Sequence, residues 1–357
     1  MAKRKILFTI NHLEFSNGVC NVLLELANAL DKAGYDITVM PIFLCDDEFC
    51  KKFNAGIKIK KCFGRYFRGM GRVVRLLPQK ALYKRFVKDN YDVEVAFQCD
   101  CPTSILAAST DHKSKHIAWM HGYDERDKKW HRAFDKIVAC AKSTCEEYKR
   151  VFSQPEKVTY LYNLVDENRI IAVKDAPIDI KKKYDFTFCT VGRLSPEKGF
   201  MRLLQAHKKL IDDGLFHNLW IVGEGAEHEK LQKYIDDENL SDSIKLFGFD
   251  SNPYKYMYRS DMFVCTSFSE GMSTVCTEAL LLGVPVISTR VNGADEIISD
   301  NKCGIVVDNN ETALYEGMKN ILTNRDRISD YKENLSRMDN LKYADRLSRV
   351  KEFFDKI

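Results

Sequence analysis

The sequence predicts an α/β protein built from two Rossmann-like domains with parallel sheets. Three observations carry that expectation. Strand-like apolar runs alternate with helical patterns along most of the chain, as in sheets covered by helices on both faces. The alternation pauses in a polar stretch, Asp166 to Tyr184, and restarts near Phe186. The chain has 357 residues, and one core rarely grows beyond roughly 250 to 300 residues.

The first half opens with a βαβ unit. "KILFTIN" is a strand, "HLEFSNG" a loop, "VCNVLLELANALDKAG" an amphipathic helix ending near Gly34, and "YDITVMPIF" the next strand. Further strands are expected in "DVEVAFQ", "KHIAWMHG", "DKIVACA" and "KVTYLYN". The second half reads strand "FTFCTVGRL", helix "GFMRLLQAHKKLIDDG", strand "NLWIVGEG", helix "AEHEKLQKYIDDENL" and strand "SIKLFGF". A helix around "PYKYMYRS", strand "DMFVCTS", a helix after Ser273, strand "PVISTR", a helix around "GADEIISD" and strand "GIVVD" follow, with helices to the end. The expected domains are 1–167 and 168–340. No repeat or low-complexity run interrupts them.

Composition excludes several classes. Hydrophobic content of 45% and charged content of 30% suit an ordinary soluble globular protein. A formal net charge of +4 carries no global nucleic-acid signal, and no nucleic-acid-binding motif is found. The 12 cysteines sit mostly in apolar strand or helix patterns, with no C-x-x-C pair and no Cys/His set at zinc-ligand spacing. Buried free thiols in a reducing cytosol are expected, with no metal site. The apolar run after the basic start breaks at Asn11, which fits a strand better than a signal peptide. No apolar run is long enough for a spanning helix. Charge is nevertheless uneven. Residues Lys51 to Asn90 hold thirteen Lys or Arg and one acid, Asp89, interleaved with aromatic and aliphatic residues. A basic amphipathic helix there would suit an anionic membrane surface; a solvated basic face is the plain alternative.

Ligands in open α/β sheets bind at the carboxyl ends of strands. Two such domains facing a cleft would gather their chemistry in those loops. "VGRLSPEKGF" follows a strand and carries Arg193 and Lys198 beside Gly192 and Gly199. Two cations there suit a polyanion such as a diphosphate; a solvated turn is the alternative. In "VGEGAE", Gly223 and Gly225 lack the third glycine of a dinucleotide fingerprint, so packing is the better reading and NAD is not supported. "TSFSEGMSTVCTEALLLG" holds Glu270 and Glu278, with Gly271, Met272, Ser273 and Thr274 between them. Ser273 can cap a helix starting near Thr274, whose free N–H groups and dipole favour an anion. Glu278 would lean back beside that anion, and a carboxylate accepts from paired hydroxyls such as those of a ribose. Val275, Ala279 and Leu282 are expected on the buried face. In the first half, Gly18 sits at a strand-to-helix turn and His121 just after a strand.

These loops together resemble the family 4 glycosyltransferases, which have the GT-B architecture. The resemblance spans the C-terminal half nearly end to end and the N-terminal half less closely. "VGRLSPEKG" is similar to the family's G-R-x-x-x-x-K-G loop, and "SEGMSTVCTEAL" fits its E-x7-E signature. Asn292 replaces a glycine in "VNGADEII", and Asn17 one beside Gly18. The resemblance implies a retaining transferase moving a sugar from a nucleotide-diphosphate sugar, a UDP-sugar above all, to a glycan on a polyisoprenyl diphosphate in surface-polysaccharide assembly. Arg193 and Lys198 would bind the diphosphate. Glu270 would hold the sugar, Glu278 the ribose, and Gly271 to Thr274 the sugar and diphosphate. "LFGFDSNPY", with Phe249, would line the base. Gly192 and Gly18 would lie near the phosphates, and His121 near the transferred sugar. No protein nucleophile is implied. No D-x-D sequence occurs, so neither metal nor other cofactor is expected. The final helix, about 341–357, would pack back on the first domain. A cytoplasmic protein, peripheral on the inner membrane face, follows from the basic segment and the implied acceptor. A nucleotide-sugar epimerase, a phosphorylase or a non-catalytic nucleotide-sugar-binding protein are the alternatives; the paired Arg/Lys and Glu/Glu loops fit the transferase better.

Overall fold

A computed structural model describes residues 3–15, 18–109, 113–122, 128–338 and 341–357. The chain divides into two compact units. Unit 1 is Met1–Leu164 with Arg346–Ile357, and unit 2 is Val165–Asp345.

Unit 1 holds a parallel sheet. Its strands are β1 (Lys5–Ile10), β2 (Asp36–Pro41), β3 (Lys58–Ile59), β4 (Val93–Ala96), β5 (Lys115–Met120), β6 (Lys136–Ala139) and β7 (Val158–Tyr160). Their order among the described residues is β3-β2-β1-β4-β5-β6-β7, with Ile6 opposite both Ile37 and Val93. Around them lie α1 (Gly18–Lys32), α2 (Asp47–Cys50), α3 (Met70–Leu76), α4 (Gln79–Phe86), α5 (Cys101–Ala107) and α6 (Lys142–Val151). Helices on both faces leave the central strands no wet side, so Ile6, Leu7 and Phe8 are all fully buried. Even Glu94 of β4 is buried; Tyr83 and Ser114 each donate a 3.0 Å hydrogen bond to its Oε1.

Unit 2 begins with α7 (Glu167–Val173), inside the polar stretch where the sequence alternation pauses. Asp166 caps this helix, accepting from the Asn168 and Arg169 amides. The second parallel sheet comprises β8 (Thr187–Val191), β9 (Asn218–Val222), β10 (Ile244–Leu246), β11 (Met262–Cys265), β12 (Val286–Thr289) and β13 (Gly304–Val307). Their order is β10-β9-β8-β11-β12-β13. The helices are α8 (Phe200–Asp212), α9 (His228–Asp237), α10 (Tyr254–Tyr258), α11 (Thr274–Leu281), α12 (Glu311–Thr323) and α13 (Arg327–Ser336). The last helix, α14 (Tyr343–Lys356), belongs to unit 1 from Arg346 onward. Its Phe354 is fully buried, edge-on to Phe8 and stacked on Trp119.

In each sheet the chain reverses its direction of travel beside a central pair, β1/β4 in unit 1 and β8/β11 in unit 2. The crevice at such a switch point is where α/β sheets take ligands. The Arg193/Lys198 loop leaves β8, and the Glu270 loop leaves β11.

Three expectations are corrected. The basic segment forms two short helices, α3 and α4, rather than one amphipathic helix. Pro78 cannot continue a helix begun before it, and Leu77 turns extended at φ −75°, ψ 156°. "GADEIISD" forms only a single π-helical turn, Asp295–Ser299. At α11, Ala279 and Leu282 are buried as expected, but Val275 is only half-buried, and Cys276, Thr277 and Leu280 are buried in its place.

Candidate active site

The β8 exit loop closes with a 3-10 turn over Pro196–Lys198, followed by Gly199 at φ +67°. A Cβ at Gly199 would lie 2.3 Å from the Thr266 carbonyl oxygen. Only glycine lets the two motif loops approach this closely. Gly223 does the same from β9: a Cβ there would stand 1.8 Å from the Gly192 oxygen. The glycines of "VGEG" therefore let the β9 turn press on the cationic loop, as the packing reading expected.

The loop after β11 is tied to the loop after β8. The Phe268 amide donates to the Glu197 carbonyl at 2.9 Å, and the Thr266 hydroxyl to the Lys198 carbonyl at 2.8 Å. This stitching brings Lys198 Nζ within 2.6 Å of Glu270 Oε1, which also accepts from Ser267 Oγ at 2.6 Å. The pair is mostly covered, its side chains 28% and 14% exposed, so water screens it less than a surface ion pair. Burial works against the Lys198 charge, but the Glu270 carboxylate outweighs it, and the ammonium titrates above its ordinary range. Arg193 is more exposed and donates to Glu197 at 3.1 Å. Glu197 also accepts from Ser195 Oγ at 2.6 Å.

Ser273 caps α11 as expected, its Oγ accepting from the Cys276 amide at 3.4 Å. Met272 and Ser273 are buried, whereas Gly271 and Thr274 are half-buried. Glu278 is half-buried one turn on and accepts a 3.1 Å hydrogen bond from Tyr254 Oη. Burial first, and then Glu278, push the Tyr254 hydroxyl well above its ordinary pKa. The Arg169 guanidinium of α7 lies 5.7 Å from the Tyr254 ring. Phe249, on the connection after β10, is 65% exposed and free to stack on a planar ligand.

In unit 1, Gly18 is the exposed first residue of α1, while Asn17 lies outside the described residues. His121 follows β5, with its ring 4.7 Å from Phe97. Its Nε2 is buried without a partner among the described residues, and burial pulls its pKa down to about 3. The imidazole is neutral at pH 7. Asn11 Oδ1, at the end of β1, is buried and likewise unpartnered among the described residues. Asp100, after β4, sits at φ 84° and pairs with Arg75 Nε at 2.9 Å.

The structure thus brings Lys198 and Glu270 into contact, sets Arg193 on the same loop, and places Gly271 to Thr274 and Glu278 along the start of α11. Sequence reasoning missed Ser267, which holds Glu270, and took Tyr254 only as the last residue of the base-lining "LFGFDSNPY", not as the partner of Glu278. Nothing in the local pattern shows that Tyr254 bonds Glu278, which it reaches from another helix. Among the described residues no group of three or more His, Cys, Asp or Glu is placed to hold a metal ion.

Chemically, the β8/β11 end offers a mostly covered cation, a helix N-terminus and two carboxylates that already accept from hydroxyls. A diphosphate would compete with Glu270 for Lys198 and leave that carboxylate free for sugar hydroxyls.

The comparisons agree with this layout. The model described as Glycosyl transferases group 1 matches residues 174–338, and that described as Glycosyltransferase Family 4 matches residues 16–169. A Campylobacter jejuni protein named N-acetylgalactosamine-N,N'-diacetylbacillosaminyl-diphospho-undecaprenol 4-alpha-N-acetylgalactosaminyltransferase is 34% identical over 53% of this chain and 51% of its own length. The Escherichia coli UDP-Gal:alpha-D-GlcNAc-diphosphoundecaprenol alpha-1,3-galactosyltransferase is 29% identical over 46% of this chain and 44% of its own. The chain thus spans about half the length of these curated relatives. The crystal structure of HepE from Anabaena with UDP and glucose superposes with a TM-score of 0.76 at 16% identity, covering 99% of this chain and 100% of that one. The two family models fall on the two units in turn, and the chain belongs to the family 4 glycosyltransferases, with the GT-B architecture.

Proposed function

We propose that this chain moves a sugar from a nucleotide-diphosphate sugar, a UDP-sugar above all, to a lipid-linked glycan, with retention of anomeric configuration. The observation that carries the reading is the Lys198–Glu270 pair at the switch point of unit 2, beside the capped start of α11. Breaking a glycosyl–diphosphate bond puts negative charge on the departing phosphate. Lys198, Arg193 and the α11 amides are the groups that stabilise it. Glu270 holds the sugar and Glu278 the ribose, with Phe249 against the base. Gly192 and Gly271 to Thr274 present backbone to the donor. Unit 1, with Gly18 and His121, takes the acceptor side. These fixed cations do the work that a divalent ion does elsewhere, so activity should persist in EDTA. Loss of turnover in EDTA, restored by a divalent ion, would refute that point.

The acceptor class is supported by the relatives, whose names place a diphospho-undecaprenol glycan in their reactions. No described helix is long and apolar enough to cross a membrane. The segment expected to meet an anionic membrane on its inner, cytoplasmic face exposes Tyr66, Phe67, Val73, Leu76 and Leu77, with Leu76 88% accessible. Arg65, Arg68 and Arg72 lie among them. Apolar side chains beside cations suit such a surface. Arg75 is set apart by its ion pair with Asp100. Changing Arg65, Arg68 and Arg72 to Glu should abolish binding to anionic liposomes while leaving turnover of a soluble acceptor intact. Unchanged binding would sink the membrane assignment.

The donor test is nucleotide release from a panel of UDP-, GDP- and ADP-sugars, with a membrane extract as acceptor. Release with one donor class, dependent on the extract, is expected. No release with any donor would favour a binding protein without turnover.

A further inference from the structure

Arg202 is a charged side chain in the interior of unit 2, 3% exposed, on the first turn of α8. Among the described residues it has no carboxylate at ion-pair distance. Burying a cation without one is costly unless its donors are satisfied. Here neutral acceptors satisfy them. Nε donates to the Thr266 carbonyl at 2.8 Å, and Nη2 to the Thr266 and Ser267 carbonyls, the latter at 2.8 Å. Nη2 also lies 3.3 Å from Thr289 Oγ1, and Nη1 donates to Asn309 Oδ1 at 2.7 Å. The Phe268 ring covers the guanidinium, its centroid 3.9 Å away.

All but two of these contacts fall on three consecutive residues, Thr266 to Phe268. Those three residues lead directly to Glu270. Ser267 bonds Glu270 through its hydroxyl, Thr266 bonds the Lys198 carbonyl, and Phe268 bonds the Glu197 carbonyl. Asn309 holds the other side, donating to the Phe268 carbonyl at 2.9 Å. The same guanidinium therefore fixes the segment from which both ends of the Lys198–Glu270 pair are hung. A planar fork can satisfy two successive carbonyls and an amide at once, and an ammonium cannot.

We propose that Arg202, with Asn309 behind it, is a positioning residue for the transfer: it holds the β11 exit loop so that Glu270 and Lys198 meet the donor in register. The inference rests on the assignment of Lys198 and Glu270 to the donor. Glu278, Tyr254 and Phe249, assigned to the ribose and base, lie on other elements, so most of the nucleotide's affinity should not depend on Arg202. A misplacement near 1 Å at a reacting centre can cost roughly a hundredfold in rate.

The test is steady-state kinetics of Arg202→Lys, Glu270→Gln and the double variant, with nucleotide-binding stoichiometry as a count of folded sites. Arg202→Lys should lower kcat about 30- to 100-fold, leave donor KM within about threefold, and bind one nucleotide per chain. Adding Glu270→Gln should lower kcat by no more than about threefold further, because both changes break one device. A purely structural role would instead lower the site count, or give multiplicative effects in the double variant. Should Arg202→Lys fail to fold, Asn309→Ala decides: a fall in kcat of about tenfold at unchanged Tm is expected, and wild-type kcat overturns the proposal. Glu270→Gln with wild-type turnover would sink the donor assignment itself. A crippled Glu270→Gln beside a fully active Arg202→Lys would sink only the inference about Arg202.

Discussion

At the carboxyl end of the unit 2 sheet, Lys198, Glu270, Glu278 and Arg193 each hold a partner, and their loops are stitched backbone to backbone. At the same end of the unit 1 sheet, Asn11 Oδ1 and His121 Nε2 are buried with no partner among the described residues, and Asp100 sits in the left-handed region. Both sheets are parallel and both reverse at a central pair. The difference is one of preorganisation. On the proposed reading, the unit 2 end is ready for a ligand of fixed chemistry, a sugar on a diphosphate. The unit 1 end keeps buried polar atoms in reserve, as suits a partner that supplies the missing hydrogen bonds itself.

Experiments can break that comparison. The largest effect is expected from Lys198→Ala, which removes the covered cation. It should lower kcat about 100- to 1,000-fold, the scale for losing one preorganised stabiliser of developing charge. A loss of less than tenfold would leave the unit 2 end without its central group. The stability of unit 2 offers the next test. His207 and His217 form a buried chain there: His217 Nδ1 donates to the Leu215 carbonyl, so its Nε2 accepts from His207 Nδ1 at 2.8 Å. His207 Nε2 is then an acceptor, 2.9 Å from Ser243 Oγ. Burial holds His217 at about 4 and His207 well below its ordinary value. Both folded-state values are depressed, so above pH 6.5 neither residue costs stability. As pH falls from about 6.5 toward 4, the unfolded chain binds protons that the folded chain refuses, and stability declines. His217 alone should account for about 3 kcal/mol across that window. Urea denaturation of unit 2 that is flat from pH 7 to pH 4.5 would contradict this.

Smaller effects should separate the two carboxylates and the two ends. Glu278→Ala should raise donor KM about tenfold with little change in kcat, the mark of binding lost equally from ground and transition states. Equal changes in kcat and KM would count against the ribose role. His121 stays neutral down to about pH 4. His121→Asn should therefore cost less than about tenfold in kcat, and the wild-type profile should show no limb near pH 6.5 from this group. A limb there that vanishes in His121→Asn would mean that the unit 1 end is less dry than its geometry implies.

The fold was largely legible in the sequence, for a physical reason. Doubly covered strands are continuous apolar runs, and twelve of the thirteen strands fall within the runs read from the sequence. The one missed, β3, is a two-residue edge strand, "KI", with no pattern to detect. Motif loops at strand ends were equally visible, because glycine, arginine and lysine must stand close together there. What sequence could not give is what reaches those loops from elsewhere. Tyr254 meets Glu278 across 24 positions, and Arg202 meets Thr266 across 64. Pairings at such separations leave no periodicity. The segment around α3 and α4 was misjudged for the opposite reason. Its charge pattern continues through Pro78, but its backbone cannot.

The last helix carries a consequence for synthesis. Unit 2 is continuous, Val165–Asp345, so all of it has been made while the ribosome still has Arg346–Ile357 to add. Unit 1 is begun before unit 2 and closed after it, because the buried Phe354 packs against Phe8 and Trp119. For the whole time that unit 2 is being translated, the older unit waits with part of its apolar core uncovered. That is the interval in which a nascent chain of this design most needs a chaperone.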